Sequence, residues 1–267
     1  MSYFTPDQIN QFFPVAGIWV YPGGVTVDRS CNLVFNRASY SHVRGKVEMV
    51  SRRSLSNLAL LVRSTNVKFR SLLTLTYGAN YPMSGKLAKK HLNHFLVASK
   101  RAFGAYDYIW VLEFQERGAV HFHIASTLPP PGELEREEFA RLWQRISTPE
   151  SWMYCQLDIV GRRLVQGQTL LTDRAVLDVH MHPNAWEKVR KGDSLHRYFA
   201  KYSTKIRQKE VPGWYSDVGR FWGASRDVRM PAGEYFHGGD ADVRELAKEQ
   251  GRDVASWRVL PKIIFFG

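Results

Sequence analysis

Residues Trp110 to Ala125, WVLEFQERGAVHFHIA, constrain this chain more than any other stretch. Two apolar runs flank the polar link Glu116-Arg117-Gly118-Ala119, whose glycine suits a hairpin turn. Side chains of a strand alternate faces, so His121 and His123 share one face while Phe122 enters the opposite layer. A turn centred near Gly118 sets Glu113 opposite His123 and Gln115 opposite His121. One surface of the hairpin then carries two imidazoles, a carboxylate and an amide, enough for a metal ion.

The neighbouring segments define the architecture. Ser51 onward, SRRSLSNLALLVRS, has Leu55, Leu58, Leu61 and Val62 at helical spacing. Phe69–Tyr77, FRSLLTLTY, reads as a strand stopped by Gly-Ala-Asn-Tyr-Pro. Lys86–Phe103 is an amphipathic helix with Leu87, Leu92, Phe95, Leu96 and Phe103 on its buried stripe. Glu133–Ile146 is a second, acidic at its start, with Leu134, Phe139, Leu142 and Trp143 facing inward. Ala175–His182, AVLDVHMH, reads as a strand, and Arg197–Gln208 as a helix. Residues 147–175 read as a loop-rich excursion. The N-terminal residues 1–35 read as strands and loops, and the terminal KIIFF as strand-like. Strand, helix, hairpin, helix, strand, helix is an α+β order: a central antiparallel sheet with flanking helices. The expected division is an N-terminal extension over 1–50, a core over 51–210, and a C-terminal extension over 211–267 packed on that core.

A second cluster lies on the helix from Arg197. Tyr198 and Tyr202 are four residues apart, and Lys201 and Lys205 follow each by three, which places all four on one helical face. A phenol with an ordinary pKa of about 10 is a weak nucleophile at neutral pH. Neighbouring ammonium groups favour the phenolate and can hold a scissile phosphate.

Charge points the same way. The 267 residues carry a formal net charge of +12, which favours a polyanionic partner but does not separate nucleic acid from an anionic membrane surface. Eight tryptophans and twelve tyrosines among the charges could stack on bases, although most such residues pack in cores. No run approaches the roughly eighteen apolar residues of a membrane span, and no export signal is visible. Two cysteines, Cys31 and Cys155, are too few for a disulfide framework, so a reducing cytoplasm is expected.

His121-Phe-His123 with Glu113, followed by Tyr198-Phe-Ala-Lys-Tyr202-Ser-Thr-Lys205, resembles the HUH endonucleases. Within these the chain is similar to the two-tyrosine initiators of rolling-circle replication in single-stranded DNA phages, the filamentous-phage type included, and some plasmids. The three family motifs occur in order: Leu72-Leu-Thr-Leu-Thr-Tyr77, the His-hydrophobic-His strand, and the Tyr-x-x-Lys-Tyr-x-x-Lys helix. Gly219-Arg-Phe-Trp-Gly223 adds a weaker likeness to the filamentous-phage initiators.

The resemblance implies a ferredoxin-like nuclease sheet with the histidines on a central strand and the tyrosine helix alongside. It implies a divalent metal, Mg2+ or Mn2+, held by His121, His123 and a third ligand. Hairpin geometry favours Glu113 for that ligand, with Gln115 the alternative. It implies transesterification, in which Tyr198 or Tyr202 attacks a DNA phosphodiester, keeps the 5′ phosphate and frees a 3′ hydroxyl, with Lys201 and Lys205 assisting. The implied partners are single-stranded origin DNA, in hairpin form, and the helicase and polymerase of a bacterial host in whose cytoplasm the protein acts. No Walker-type Gly-x-x-x-x-Gly-Lys-Ser/Thr stretch occurs, which argues against a fused helicase.

Other readings make different predictions. A transposase or plasmid relaxase shares the chemistry. A non-catalytic binder of single-stranded or hairpin DNA needs neither both tyrosines nor the histidines. A hydrolase with a water nucleophile forms no covalent adduct. His180-Met-His182 is a second His-x-His, lacking an upstream carboxylate hairpin, and is expected to flank the site or contact DNA. His91, His94 and His237 read as surface or helix-packing residues.

Overall fold

The computed structural model describes residues 16–28, 47–148, 178–189, 199, 210–215, 218–252 and 263–265. The chain forms two units. One comprises Gly45–Arg52 and Val67–Val228, the other Met1–Arg44, Arg53–Asn66 and Arg229–Gly267.

The smaller unit is built on a hairpin of β1 (Ala16–Tyr21) and β2 (Gly24–Asp28), turned at Pro22-Gly23. The chain returns to this sheet at its C-terminal end. There β8 (Glu234–Gly238) pairs with β1, and β9 (Ile263–Phe265) pairs with β2, all antiparallel. Ile18, Val25, Val27 and Ile264 make one apolar face. Val243 and Ala247 of helix α4 (Asp240–Glu249) pack into the same core. Helix α1 (Arg52–Ser64) buries Leu58, Leu60, Leu61 and Val62, while Leu55 is half-buried.

The larger unit is a five-stranded antiparallel sheet in the order β6-β3-β5-β4-β7. Its strands are β3 (Ser71–Thr76), β4 (Tyr108–Phe114), β5 (Val120–Ser126), β6 (Trp186–Lys188) and β7 (Trp222–Ala224). Strand β5 is therefore central, as a sheet bearing the histidines requires. Helices α2 (Gly85–Phe103) and α3 (Glu133–Ser147) pack against each other through Phe95, whose ring meets Phe139 and Trp143 edge-on. They lie on the sheet face that carries Leu73, Trp110, Phe122 and Trp186. Phe103 and Phe139 touch Trp186, and the Lys89 ammonium sits 5.7 Å over the Trp110 ring. Each large apolar side chain buried there contributes about 1.5–3 kcal/mol. The opposite face holds His121 and His123. With both helices on one side, this second face is not covered by α2 or α3.

Several sequence expectations are corrected. Leu87 is 44% exposed and Leu134 is 78% exposed. The buried stripe of α2 runs Ala88, Leu92, Phe95, Leu96 and Ser99, about 100° away from Leu87. Leu134 lies on the same side of α3 as the charged Glu138, Arg141 and Arg145, which face away from the core. Residues 178–181 are helical rather than part of a strand. The strand that pairs with β3 comes later, at Trp186–Lys188. The apolar period over 175–182 misleads because His180, fully buried, supplies a hydrogen bond where a strand neighbour would otherwise stand.

The segment Gly219-Arg-Phe-Trp-Gly223 leads into β7 and completes the nuclease-type sheet beside β4. A Cβ on Gly223 would lie 2.8 Å from the Trp110 indole nitrogen, so only glycine lets that ring cover the edge strand. Among the described residues, no helix is long and apolar enough to cross a membrane.

Candidate functional site

The hairpin turn comes first, since it sets the register. The Gln115 N–H donates to Ala119 O, and the Gly118 N–H donates to Gln115 O. A three-residue loop, Glu116-Arg117-Gly118, results, with Gly118 at φ +82 in the left-handed position that such loops demand. The loop is centred on Arg117, one residue earlier than expected. Register shifts by two, so Glu113 pairs with His121 and Val111 with His123. A shift of two keeps parity, and the expected residues still share one face.

Glu113 reaches diagonally to His123, with Oε2 3.5 Å from Nε2. Its other oxygen, Oε1, is buried and has no hydrogen-bond partner. The residue is only 4% exposed. The two imidazoles lie edge to face, with ring centroids 4.5 Å apart. Gln115 Nε2 is 3.4 Å from His121 Nδ1, while its Oε1 accepts from Arg117 Nε at 2.9 Å.

Strand β3 holds both rings from the other side. Its register places Thr76 beside His121 and Thr74 beside His123. Thr76 Oγ1 is 2.9 Å from His121 Nδ1, and Thr74 Oγ1 is 3.3 Å from His123 Nδ1. In each ring Nδ1 is the nitrogen engaged by a threonine, which directs Nε2 away from β3. In His123 that nitrogen faces Glu113. Such outer contacts set imidazole tautomer and orientation for a metal. Reading the strands one at a time misses these threonines as functional residues. Their period-two spacing, Thr-x-Thr beside His-x-His, is the signal that identifies them.

Thr76 is itself immobilised. Its N–H donates to His180 Nε2 at 3.1 Å, and its carbonyl accepts from Trp143 Nε1 at 2.7 Å. His180 also packs against Phe139 and Trp143. Of the second His-x-His pair, His180 thus supports β3 from within the core, while His182 is exposed and its Nδ1 accepts from the Asn184 N–H. His91 packs on Tyr77, its Nδ1 3.0 Å from the phenol oxygen, and burial lowers its pKa. His94 is exposed.

The donor chemistry suits a hard divalent cation: two imidazoles, a carboxylate with an orphaned buried oxygen, and a nearby amide. A buried unpaired carboxylate oxygen costs about 1–3 kcal/mol or more, and a cation would remove that cost. Among the described residues, no group of three or more His, Cys, Asp or Glu side chains is already drawn together as a metal cluster. Tyr198, Lys201, Tyr202 and Lys205 lie outside the described residues, as do Cys31 and Cys155. Within the helix expected over Arg197–Gln208, Phe199 is described: it is helical and 4% exposed.

A family model for the replication-associated protein ORF2 matches residues 70–207. That span contains β3, the histidine hairpin and the tyrosine-lysine stretch. Comparison with curated proteins and with solved structures yields no match.

Proposed function

Because the chain belongs to the replication-associated protein ORF2 family, we propose that it initiates rolling-circle replication by nicking and rejoining single-stranded origin DNA through a 5′-phosphotyrosine intermediate. The observation that carries this reading is the arrangement at His121, His123 and Glu113. Two oriented imidazoles and an orphaned carboxylate oxygen share the sheet face opposite the packed helices.

Tyr198 and Tyr202 are the proposed nucleophiles. One phenol oxygen attacks the phosphorus and forms a tyrosyl ester with the 5′ phosphate. The bond to the 3′ oxygen breaks, and that oxygen leaves as a hydroxyl after taking up a proton. Lys201 and Lys205 hold the phosphate and favour the phenolate. The number of phosphoester bonds is unchanged, so no nucleotide hydrolysis is required. The second tyrosine, one helical turn away, serves for the next cut while the first is occupied. His121, His123 and Glu113, with Gln115 as the alternative oxygen ligand, would hold Mg2+ or Mn2+. When bound, that ion supplies charge neutralisation at the phosphate oxygens. Single-stranded origin DNA, in hairpin form, is the proposed substrate, and the host helicase and polymerase extend the freed 3′ end.

The test incubates the full chain with single-stranded origin DNA and Mn2+, followed by a denaturing gel. The expected result is a covalent adduct that a chelator abolishes and that Tyr198→Phe/Tyr202→Phe eliminates. An adduct that survives the double change refutes these nucleophiles. Cleavage without an adduct points to a hydrolase, and binding without cleavage to a non-catalytic DNA-binding protein.

A further inference from the structure

Next to the histidine cluster lies a cavity of about 430 Å3, whose polar lining comes from Thr74, Thr76, Asp178, His182 and Asn184. Its volume is within the range of roughly 300–1,000 Å3 typical of small-ligand sites. One wall consists of the threonines whose hydroxyls contact His121 and His123. The opposite wall is the turn over residues 178–185, which is tied down from two sides. Arg136 Nη1 donates to the carbonyls of Pro183 and Trp186, at 3.3 and 3.0 Å. The His182 ring caps the short 3-10 turn Pro183–Ala185, and β6 continues directly from it into the sheet.

The cavity combines apolar and polar surface as a nucleobase does. Val179 and Ala185 present aliphatic groups, with Val179 51% exposed at the mouth. Asp178, Asn184 and the two threonine hydroxyls supply hydrogen-bonding groups. Unpaired bases are read through their edges in this way. A carboxylate only accepts hydrogen bonds, so Asp178 suits an exocyclic amino group and disfavours a carbonyl at the same position. Asn184 can both donate and accept, which matches the ring nitrogen beside such an amino group.

Building on the proposed nicking reaction, we propose that this cavity receives the nucleobase adjoining the scissile phosphate and selects an amino-bearing base, cytosine or adenine, over thymine or guanine. The threonines link the two tasks. They line the base pocket on one side and orient the histidines on the other, so a base seated there carries its phosphate towards the histidine cluster.

Cytosine and thymine differ mainly at the amino or carbonyl group in question, so the homo-octamers dC8 and dT8 are the probes. Binding to the full chain is measured by fluorescence anisotropy, in chelator so that no strand is cut. The unaltered protein is expected to bind dC8 roughly tenfold more tightly than dT8, the scale of one good side-chain-to-base contact. Asp178→Asn, whose amide can donate to the thymine carbonyl, is expected to narrow or reverse that ratio. Asn184→Ala is expected to weaken dC8 with little effect on dT8. Circular dichroism confirms that each variant is folded. Equal affinity for the two octamers, no binding to either, or an unchanged ratio in Asp178→Asn overturns the proposal. Adduct formation is scored separately: a protein that forms the adduct but shows no preference retains nicking and loses the pocket. One that shows the preference but forms no adduct retains the pocket and loses nicking.

Discussion

The hydroxyl of Thr76 lies 2.9 Å from Nδ1 of His121, and Thr76 is fixed at its other two polar groups by His180 and Trp143. A buried histidine and tryptophan on the helix-covered side therefore help determine the orientation of an imidazole on the open side. Strand β3 transmits that constraint through one residue.

Thr76→Val keeps the shape of the side chain and removes the hydroxyl. We expect Mn2+ affinity, followed by electron paramagnetic resonance, to fall about 10- to 100-fold, the usual effect of losing an outer hydrogen bond to a ligating histidine. Thr76→Ser restores it. Unchanged affinity in Thr76→Val would show that His121 does not depend on this contact.

Glu113 carries a buried oxygen without a partner. In chelator, Glu113→Gln removes a buried charge and is expected to raise stability by about 1–2 kcal/mol. The melting temperature of the unaltered protein rises with added Mn2+, since a ligand that binds only the folded state stabilises it. That rise disappears in the variant. A Glu113→Gln protein that melts lower than the unaltered one in chelator would contradict this account.

Burial, with Arg220 close by, lowers the Lys89 ammonium to a pKa of about 8. The unfolded chain keeps that proton until about pH 10.4. Between about pH 8 and about pH 10.4 the unfolded state binds more protons, so stability rises with pH across this window, and below it the cost of the buried charge is fully present. Lys89→Met should therefore be more stable than the unaltered protein at about pH 7, with the difference shrinking towards about pH 10.4 in denaturant titrations. A difference independent of pH would assign the effect to packing.

Gly118 at φ +82 stands against Trp214, where a Cβ would come within 2.6 Å of the indole. Gly118→Ala is expected to cost about 1–2 kcal/mol from backbone strain alone. Because the loop sets the pairing of Glu113 with His121, hydrogen exchange at the β4–β5 amides should increase as well. Unaltered protection there would mean that the strands, not the loop, hold the register.

Much of the site is legible in the sequence because it depends on parity and order. Alternation on a strand puts His121 and His123 on one face whatever the rest of the chain does, and parity keeps Glu113 on that face even though the turn lies one residue earlier than the sequence suggests. The α+β order of the larger unit, and the helices over 85–103 and 133–147, follow from apolar periods too long to be ambiguous. Tertiary structure decided the rest. Register depended on which residue adopted the left-handed turn conformation, a competition among Glu116, Arg117 and Gly118 that local pattern does not resolve. Leu87 and Leu134 reach solvent because the sheet covers only one stripe of each helix. Residues 178–181 are helical because His180 serves β3 as a buried hydrogen-bond acceptor, a role created only when residues more than a hundred positions apart meet. For the same reason Thr74 and Thr76 emerge as partners of the histidines only in the folded sheet: the hydrogen bonds join two strands whose pairing is a property of the whole sheet.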